Sequence, residues 1–266
     1  MIRTALPALF RLLRLNRLLS QPLVEDLFLR AFFAYKRLAE DSLARLLARH
    51  PELVGDGDVL DIGANVGYTA VVLARHLAPG HGVWAFEPEP VNIRRLSRVL
   101  RRHALTEVVT IVGVAVGERE GTVELWRNEQ HPGDHRVVTD VFRPKEATLN
   151  VPVVSIDAFT EERRIGDVGF IKIDVQGYEL MVARGMSRLL ERSPSISVLF
   201  EYDPLLLSAL GTAPRELLDF WRDRGFEIGL IMRGGDVVAA DDGAIAAAVE
   251  KSGYVDLLCR RPMTLS

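Results

Sequence analysis

Four groups of residues in this sequence have the types and spacing to do chemistry. The first is the turn Gly63-Ala64-Asn65-Val66-Gly67, with Asp61 just before it. Gly63 permits a tight turn, Gly67 lets a following helix start close to the preceding strand, and that helix's N-terminus offers free backbone N–H groups to a small ligand. An acid at the strand end suits a ligand with a cationic portion better than a pyrophosphate. The second is Glu87, ahead of Pro88-Glu89-Pro90, where a carboxylate is placed to accept two hydrogen bonds from ribose hydroxyls. The third is the pair Asp174 and Glu201, each closing an apolar run. The fourth is a polar stretch holding His131, Asp134, His135 and Arg136. Imidazole titrates at about pH 6.5, so either histidine is a candidate base, and the planar donors of Arg136 beside Asp134 suit an anionic or polyhydroxyl acceptor.

Apolar runs predict strands over 58–62, 83–87, 108–112, 168–174, 196–201, 226–232 and 254–259, and helices near 66–77, 89–103, 177–191 and 213–224. Strands alternating with helices imply an α/β architecture, a mostly parallel sheet covered on both faces, with ligands bound beyond the carboxyl ends of the strands. Asp61, Glu87, Asp174 and Glu201 all sit at such ends. Segment 118–157 interrupts the rhythm with strands at Thr122–Trp126 and Val151–Ile156 around the polar stretch, as an insertion that could cover the site. The alanine-rich stretch 239–249 reads as a loop and short helix.

Two phosphate-binding alternatives weaken on inspection. Counting from Gly63, the dinucleotide fingerprint needs glycines where Asn65 and Tyr68 stand, and no Gly-Lys-Ser/Thr is present for a P-loop. An ordinary βα turn and a helix-start acid would each account for one motif, but not for both in this order. A ribose-bearing cofactor accounts for both.

The string Val59-Leu60-Asp61-Ile62-Gly63-Ala64-Asn65-Val66-Gly67, then Phe86-Glu87-Pro88, then Ile171-Lys172-Ile173-Asp174-Val175-Gln176-Gly177-Tyr178-Glu179, resembles the FkbM family of S-adenosylmethionine-dependent methyltransferases. The resemblance covers about residues 55–202, and the third string is its most specific part. It implies the class I methyltransferase Rossmann-like fold, a seven-stranded mostly parallel sheet with helices on both faces and an antiparallel last strand. It also implies O-methylation of a hydroxyl on a small molecule or glycan, such as a sugar or natural product. By position, Asp61, Gly63, Asn65 and Gly67 would hold the methionine end of S-adenosylmethionine, Glu87 its ribose, and Ala115 would lie near the adenine. Ala64, Tyr68, Pro88 and Asp174 complete the cofactor-binding set.

Methyl transfer from a sulfonium is an in-line displacement, so the protein must align the partners, exclude water and remove the acceptor's proton. Asp174, Glu201 and His135 are the expected catalytic groups, with His131, Asp134 and Arg136 toward the acceptor. Asp174 and Glu201 are also candidate ligands for Mg²⁺, with Asp157 a third, but so few acids make metal the weaker expectation. Glu179 reads as a cap or loop organiser. His50, His76, His81 and His103 read as surface residues, and Cys259 as core.

The chain has 266 residues, 48% of them hydrophobic, with 33 basic and 36 acidic side chains and a net charge of −3, which supports a large core and disfavours nucleic acid as a partner. A single cysteine makes a reducing cytoplasm the simplest compartment. Residues 1–24 are leucine-rich, carry Arg3, Arg11, Arg14 and Arg17 and no acid, and are expected to be neither a secretory signal nor a transmembrane span. They are expected to pack as a helix on the protein or in a homo-oligomer, or else to lie on an anionic membrane surface. Helix is expected to continue over 22–49 and stop at His50-Pro51. The expected layout is therefore a helical extension over 1–54 and one α/β unit over 55–266. The competing functions are a nicotinamide-dependent oxidoreductase and a non-catalytic cofactor-binding partner protein.

Overall fold

The computed structural model describes residues 22–39, 42–128, 134–146 and 148–261. The basic stretch over residues 1–21 and His131 lie outside the described residues.

Strands β1 (Asp58–Ile62), β2 (Val83–Phe86) and β3 (Val109–Val112) form one half of the main sheet. After a second small sheet come β8 (Val168–Ile173) and β9 (Ser197–Tyr202), then β10 (Glu227–Ile231), β11 (Val237–Ala239) and β12 (Val255–Arg260). Their order across the sheet is β11-β10-β12-β9-β8-β1-β2-β3. Contacts from β3 through β9 are parallel, and β12 runs antiparallel to both neighbours. The central strands are apolar on both faces because helices cover both: Val59, Leu60, Phe170 and Ile171 are fully buried.

The sheet has eight strands rather than seven. The extra edge strand, β11, folds back on β10 after Gly234-Gly235, pairing Leu230 with Val238. Three residues beside a glycine turn carry too little periodicity to be read as a strand.

The interrupted segment forms its own four-stranded sheet, β4-β7-β5-β6, from β4 (Ala115–Val116), β5 (Gly121–Trp126), β6 (Arg136–Val137) and β7 (Thr148–Val154). The second strand here ends earlier than expected, and Ile156 belongs to a helix instead. Ser155 caps that helix, α5 (Ile156–Glu162), by accepting from the Ala158 N–H. Ala115, Leu125, Val137, Val151 and Val153 give this sheet its own apolar cluster.

The helix expected over 22–49 is divided into α1 (Pro22–Ala39) and α2 (Ser42–Arg49). The two pieces dock on different surfaces. Leu29 of α1 packs with Val66, Val71 and Val99, while Leu43, Leu46 and Leu47 of α2 join Val59 and Phe170. Glu25 fixes α1 by pairing with Arg95 at 2.7 Å and Arg98 at 2.6 Å on α4 (Pro90–Arg102). Leu23 and Leu27 on the outer face of α1 stay exposed. No helix among the described residues is long and apolar enough to cross a membrane.

Helix α3 (Tyr68–Leu73) follows the glycine turn. The helix expected over 177–191 is two, α6 (Glu179–Arg184) and α7 (Ser187–Arg192), because the chain must press against the second sheet between them. A Cβ on Gly185 would meet the Gly117 carbonyl oxygen at 2.1 Å. Helix α8 (Pro204–Ala209) follows β9, α9 (Pro214–Arg222) precedes β10, and α10 (Asp242–Ser252) fills the alanine-rich stretch.

Candidate cofactor and active site

The carboxyl ends of β1, β2, β8 and the segment after β3 surround a partly open cavity of about 80 Å³. Its floor depends on Gly63, whose φ of 83° and close approach to β8 exclude any side chain: a Cβ would lie 1.9 Å from the Asp174 carbonyl oxygen. Asn65 adopts φ 49°, and its buried Oδ1 has no hydrogen-bond partner within the protein. A buried acceptor without a donor, in the wall of a cavity, is what a bound ligand with N–H or O–H groups would satisfy.

Glu87 lines the same cavity. Its two oxygens accept from the backbone N–H groups of Asn65 and Glu89, both at 2.9 Å, and the Asn92 side chain adds a third hydrogen bond, which together fix the carboxylate. Burial pushes its pKa from 4.5 up to about 7, against those hydrogen bonds. Ile62, Phe86, Val114, Ala115 and Val116 make an apolar wall suited to an aromatic base.

Of the expected cofactor contacts, Gly63, Asn65, Glu87, Pro88, Ala115 and Asp174 line the cavity. Asp61, Ala64, Gly67 and Tyr68 stand behind it. Ala64 donates its N–H to the Phe86 carbonyl, a Cβ on Gly67 would meet Leu96, and the Tyr68 ring packs edge-on against Phe33 of α1. Asp61 is fully buried, accepting from the Thr69 hydroxyl at 2.7 Å.

Asp61 instead faces Lys172, a residue with no role in the sequence-based expectations. The Lys172 ammonium lies 3.3 Å from Asp174 Oδ2 and 3.8 Å from Asp61 Oδ1, and donates to the Gly63 carbonyl at 3.2 Å. Burial works against its charge, but Asp174 and Asp61 outweigh it and hold its pKa above the usual lysine value. A cation inside the apolar run Val168–Ile173 was the available signal, because an unpaired lysine there would be prohibitively costly.

Asp174 and Glu201 are brought together by Gln176, whose side-chain amide donates to Asp174 Oδ1 at 2.8 Å and Glu201 Oε1 at 3.2 Å. Their environments differ. Burial would raise Asp174, yet Lys172 and the Gln176 amide hold it below the usual carboxylate value. Glu201 is pushed well above it by burial, by Asp174 and by Asp256, which stands directly opposite on β12. Asp256 in turn accepts from the Ser42 hydroxyl at 2.8 Å. Glu179 organises the loop, accepting the Val175 and Gly177 N–H groups on one oxygen, both at 3.1 Å.

Among the described residues no group of three or more His, Cys, Asp or Glu is arranged to hold a metal. Asp157, the expected third ligand, is committed elsewhere: it caps α7 by accepting the Arg188 and Leu189 N–H groups at 3.0 and 2.8 Å. His135 lines the cavity, but Asp134 and Arg136 do not. Arg136 donates to Asp134 Oδ1 at 2.7 Å, and its guanidinium lies over the Trp126 and Phe142 rings, so its donors serve the hairpin. Cys259 is fully buried in β12, and the same burial pushes its thiol well above the usual value.

The methyltransferase FkbM domain model matches residues 61–228. Hexuronic acid methyltransferase AglP of Haloferax volcanii is 28% identical over 153 residues, which cover 57% of this chain and 58% of that protein. Methyltransferase 1 of Beauveria bassiana is 24% identical over 148 residues, covering 49% of this chain and 59% of that protein. The chain therefore spans less than two thirds of the length of these curated relatives. Among solved structures, the methyltransferase FkbM from Methylobacillus flagellatus is similar at 21% identity and a TM-score of 0.47, covering 77% of this chain and 43% of that one.

Proposed function

The chain belongs to the FkbM family of methyltransferases, and from that premise we propose that it carries a methyl group from S-adenosylmethionine to a hydroxyl of a small molecule or glycan. The observation that carries this reading is one cavity lined both by a fixed ribose-type carboxylate, Glu87, and by Asp174 and Gln176, with Glu201 joined to them through the Gln176 amide. When bound, the cofactor supplies an electrophilic methyl group on a sulfonium.

The residues present suit it. Glu87 would accept from both ribose hydroxyls, the unpartnered Asn65 Oδ1 would take a donor from the ligand, and the apolar wall would hold the adenine. Asp174, kept ionised by Lys172, stabilises positive charge at the methionine end. It is a weak base for the same reason. Glu201 has the higher proton affinity of the two, which makes it the general base once ionised. It would receive the acceptor's hydroxyl proton as the new C–O bond forms and the C–S bond breaks. Gln176 orients both carboxylates through one amide group.

The relative's name makes a uronic-acid-bearing glycan the first acceptor to assay. Calorimetry with S-adenosylhomocysteine and a mass shift of one methyl group on the acceptor test the reading together. Absence of binding sinks the cofactor assignment. Full turnover by both Asp174→Asn and Glu201→Gln sinks the catalytic one and leaves the fold untouched.

A further inference from the structure

The imidazole of His135 enters the cavity just ahead of β6, and the way it is held assigns its proton. The backbone N–H of Asn128 donates to His135 Nδ1 at 3.1 Å. A backbone N–H can only donate, so Nδ1 must offer a lone pair, and the neutral ring carries its hydrogen on Nε2. The surrounding hairpin is built to keep that orientation. Asn128 donates its side-chain amide to Asp134 Oδ2 at 2.8 Å, Arg136 donates to Asp134 Oδ1, and the Trp126 and Phe142 rings pack edge to face beside it. Burial keeps the ring neutral by lowering its pKa, although Glu89 pulls the other way.

A general base has to present a lone pair to the substrate. Here the lone pair is spent on Asn128, and the polar edge left for the cavity is an N–H donor. Its place in the cavity is also defined. Leu125 and Val137 on the same hairpin pack with Ala115 after β3, and the largest charges acting on the ring are those of Glu89, Arg127, Asp134 and Arg95. Glu89 lies two residues past Glu87 and caps α4, so His135 stands over the nucleoside half of the cavity.

Resting on the cofactor reading above, we infer that His135 is a specificity residue, not the base: its Nε2–H donates to a ring nitrogen of the cofactor's adenine. The wall residues after β3 are apolar, so this donor from the second sheet supplies the polar contact that the strand end lacks.

Two measurements test it. Nitrogen-15 NMR of the imidazole in the ligand-free protein should show a protonated Nε2 and a bare Nδ1. Calorimetry should then compare S-adenosylhomocysteine with analogues in which one adenine ring nitrogen is replaced by C–H. One analogue should bind the wild type roughly three- to tenfold more weakly, the size expected of one hydrogen bond. His135→Ala should lose a similar factor against the parent ligand and nothing further against that analogue, and His135→Gln, which retains an N–H, should recover part of the loss. A ring protonated on Nδ1 overturns the proposal. So do independent, additive losses, or unchanged affinity in His135→Ala together with loss of a pH-dependent limb of turnover. Wild-type protein that binds no S-adenosylhomocysteine would overturn the cofactor reading and this proposal with it, whereas additive losses overturn this proposal alone.

Discussion

Lowering the pH should release the cofactor through Glu87. Its pKa is about 7 in the ligand-free protein, raised from 4.5 by burial. Two ribose hydroxyls need an ionised carboxylate as acceptor, so the bound complex holds Glu87 deprotonated. Affinity for S-adenosylhomocysteine should then be level above pH 8 and fall by about tenfold per pH unit below 7, until the protonated form's own weaker binding sets a floor. At pH 7 the group is half protonated, so binding should release about half a proton. Calorimetry in two buffers of different ionisation enthalpy reads both quantities. Glu87→Gln should bind more weakly at pH 8, and the Glu87 share of the slope and of the released proton should vanish. The same burial has the opposite sign for stability. Between pH 4.5 and 7 the folded state binds the proton more tightly than the unfolded one, so the ligand-free protein loses stability as pH rises through that window, by about 3 kcal/mol in all. Glu87→Gln should therefore remove this pH dependence from the ligand-free protein while weakening its complex, its amide nitrogen being unable to accept one of the two backbone N–H groups. A wild type whose affinity is flat from pH 8 to pH 6, or a Glu87→Gln variant with an unchanged slope, would refute this account.

Lys172→Met should cost roughly 3–5 kcal/mol in denaturant unfolding at pH 7, because Asp61 and Asp174 lose their buried counter-ion, and adding Asp61→Asn should recover part of it. Glu179→Gln keeps the one oxygen that accepts both loop N–H groups and removes a carboxyl whose pKa burial raises to about 7, so above pH 7 it should be at least as stable as the wild type. Glu179→Ala should lose roughly 2–4 kcal/mol in the same assay, since two buried donors go unsatisfied. Gly63→Ala and Gly80→Ala impose similar left-handed backbone strain, at φ 83° and 88°, but only the first meets another atom. Gly80→Ala should cost about 1–2 kcal/mol, and Gly63→Ala should exceed it by roughly 1–3 kcal/mol and abolish S-adenosylhomocysteine binding.

The central strands were legible because a parallel strand buried on both faces needs an unbroken apolar run, and the runs of β2 and β8 led into Glu87 and Asp174, the acids that line the cavity. What the local pattern could not show was pairing between distant segments. The strands at 121–126 and 148–154 were visible one by one, but their separation into a second sheet depends on β7 pairing with both β4 and β5. The break between α6 and α7 follows from contact with Gly117, sixty-odd residues earlier, and the division of α1 from α2 from two docking surfaces contributed by other elements. The site shows the same limit. Glu87 and Asp174 could be found from their positions in the turns. The proton on His135 could not, because it is decided by the Asn128 N–H across the hairpin.

Register explains why a single lysine is enough to set the acids apart. In the pairing of β1 with β8, Asp61 stands beside Lys172, and in that of β9 with β12, Glu201 stands opposite Asp256. Neighbours in register share a face of the sheet, so Lys172 is delivered to Asp61 and reaches Asp174 at the end of its own strand. Glu201, one strand further out, meets a second acid instead. The two carboxylates on the Gln176 amide are thus driven in opposite directions, one held below the usual carboxylate value by its cation and the other pushed above it by burial and its acidic neighbours. A slip of one residue in β8 would put Ile171 or Ile173 beside Asp61 and turn Lys172 to the opposite face, leaving both buried acids without a cation. The difference in proton affinity between Asp174 and Glu201 is therefore a property of strand register as much as of the two acids themselves.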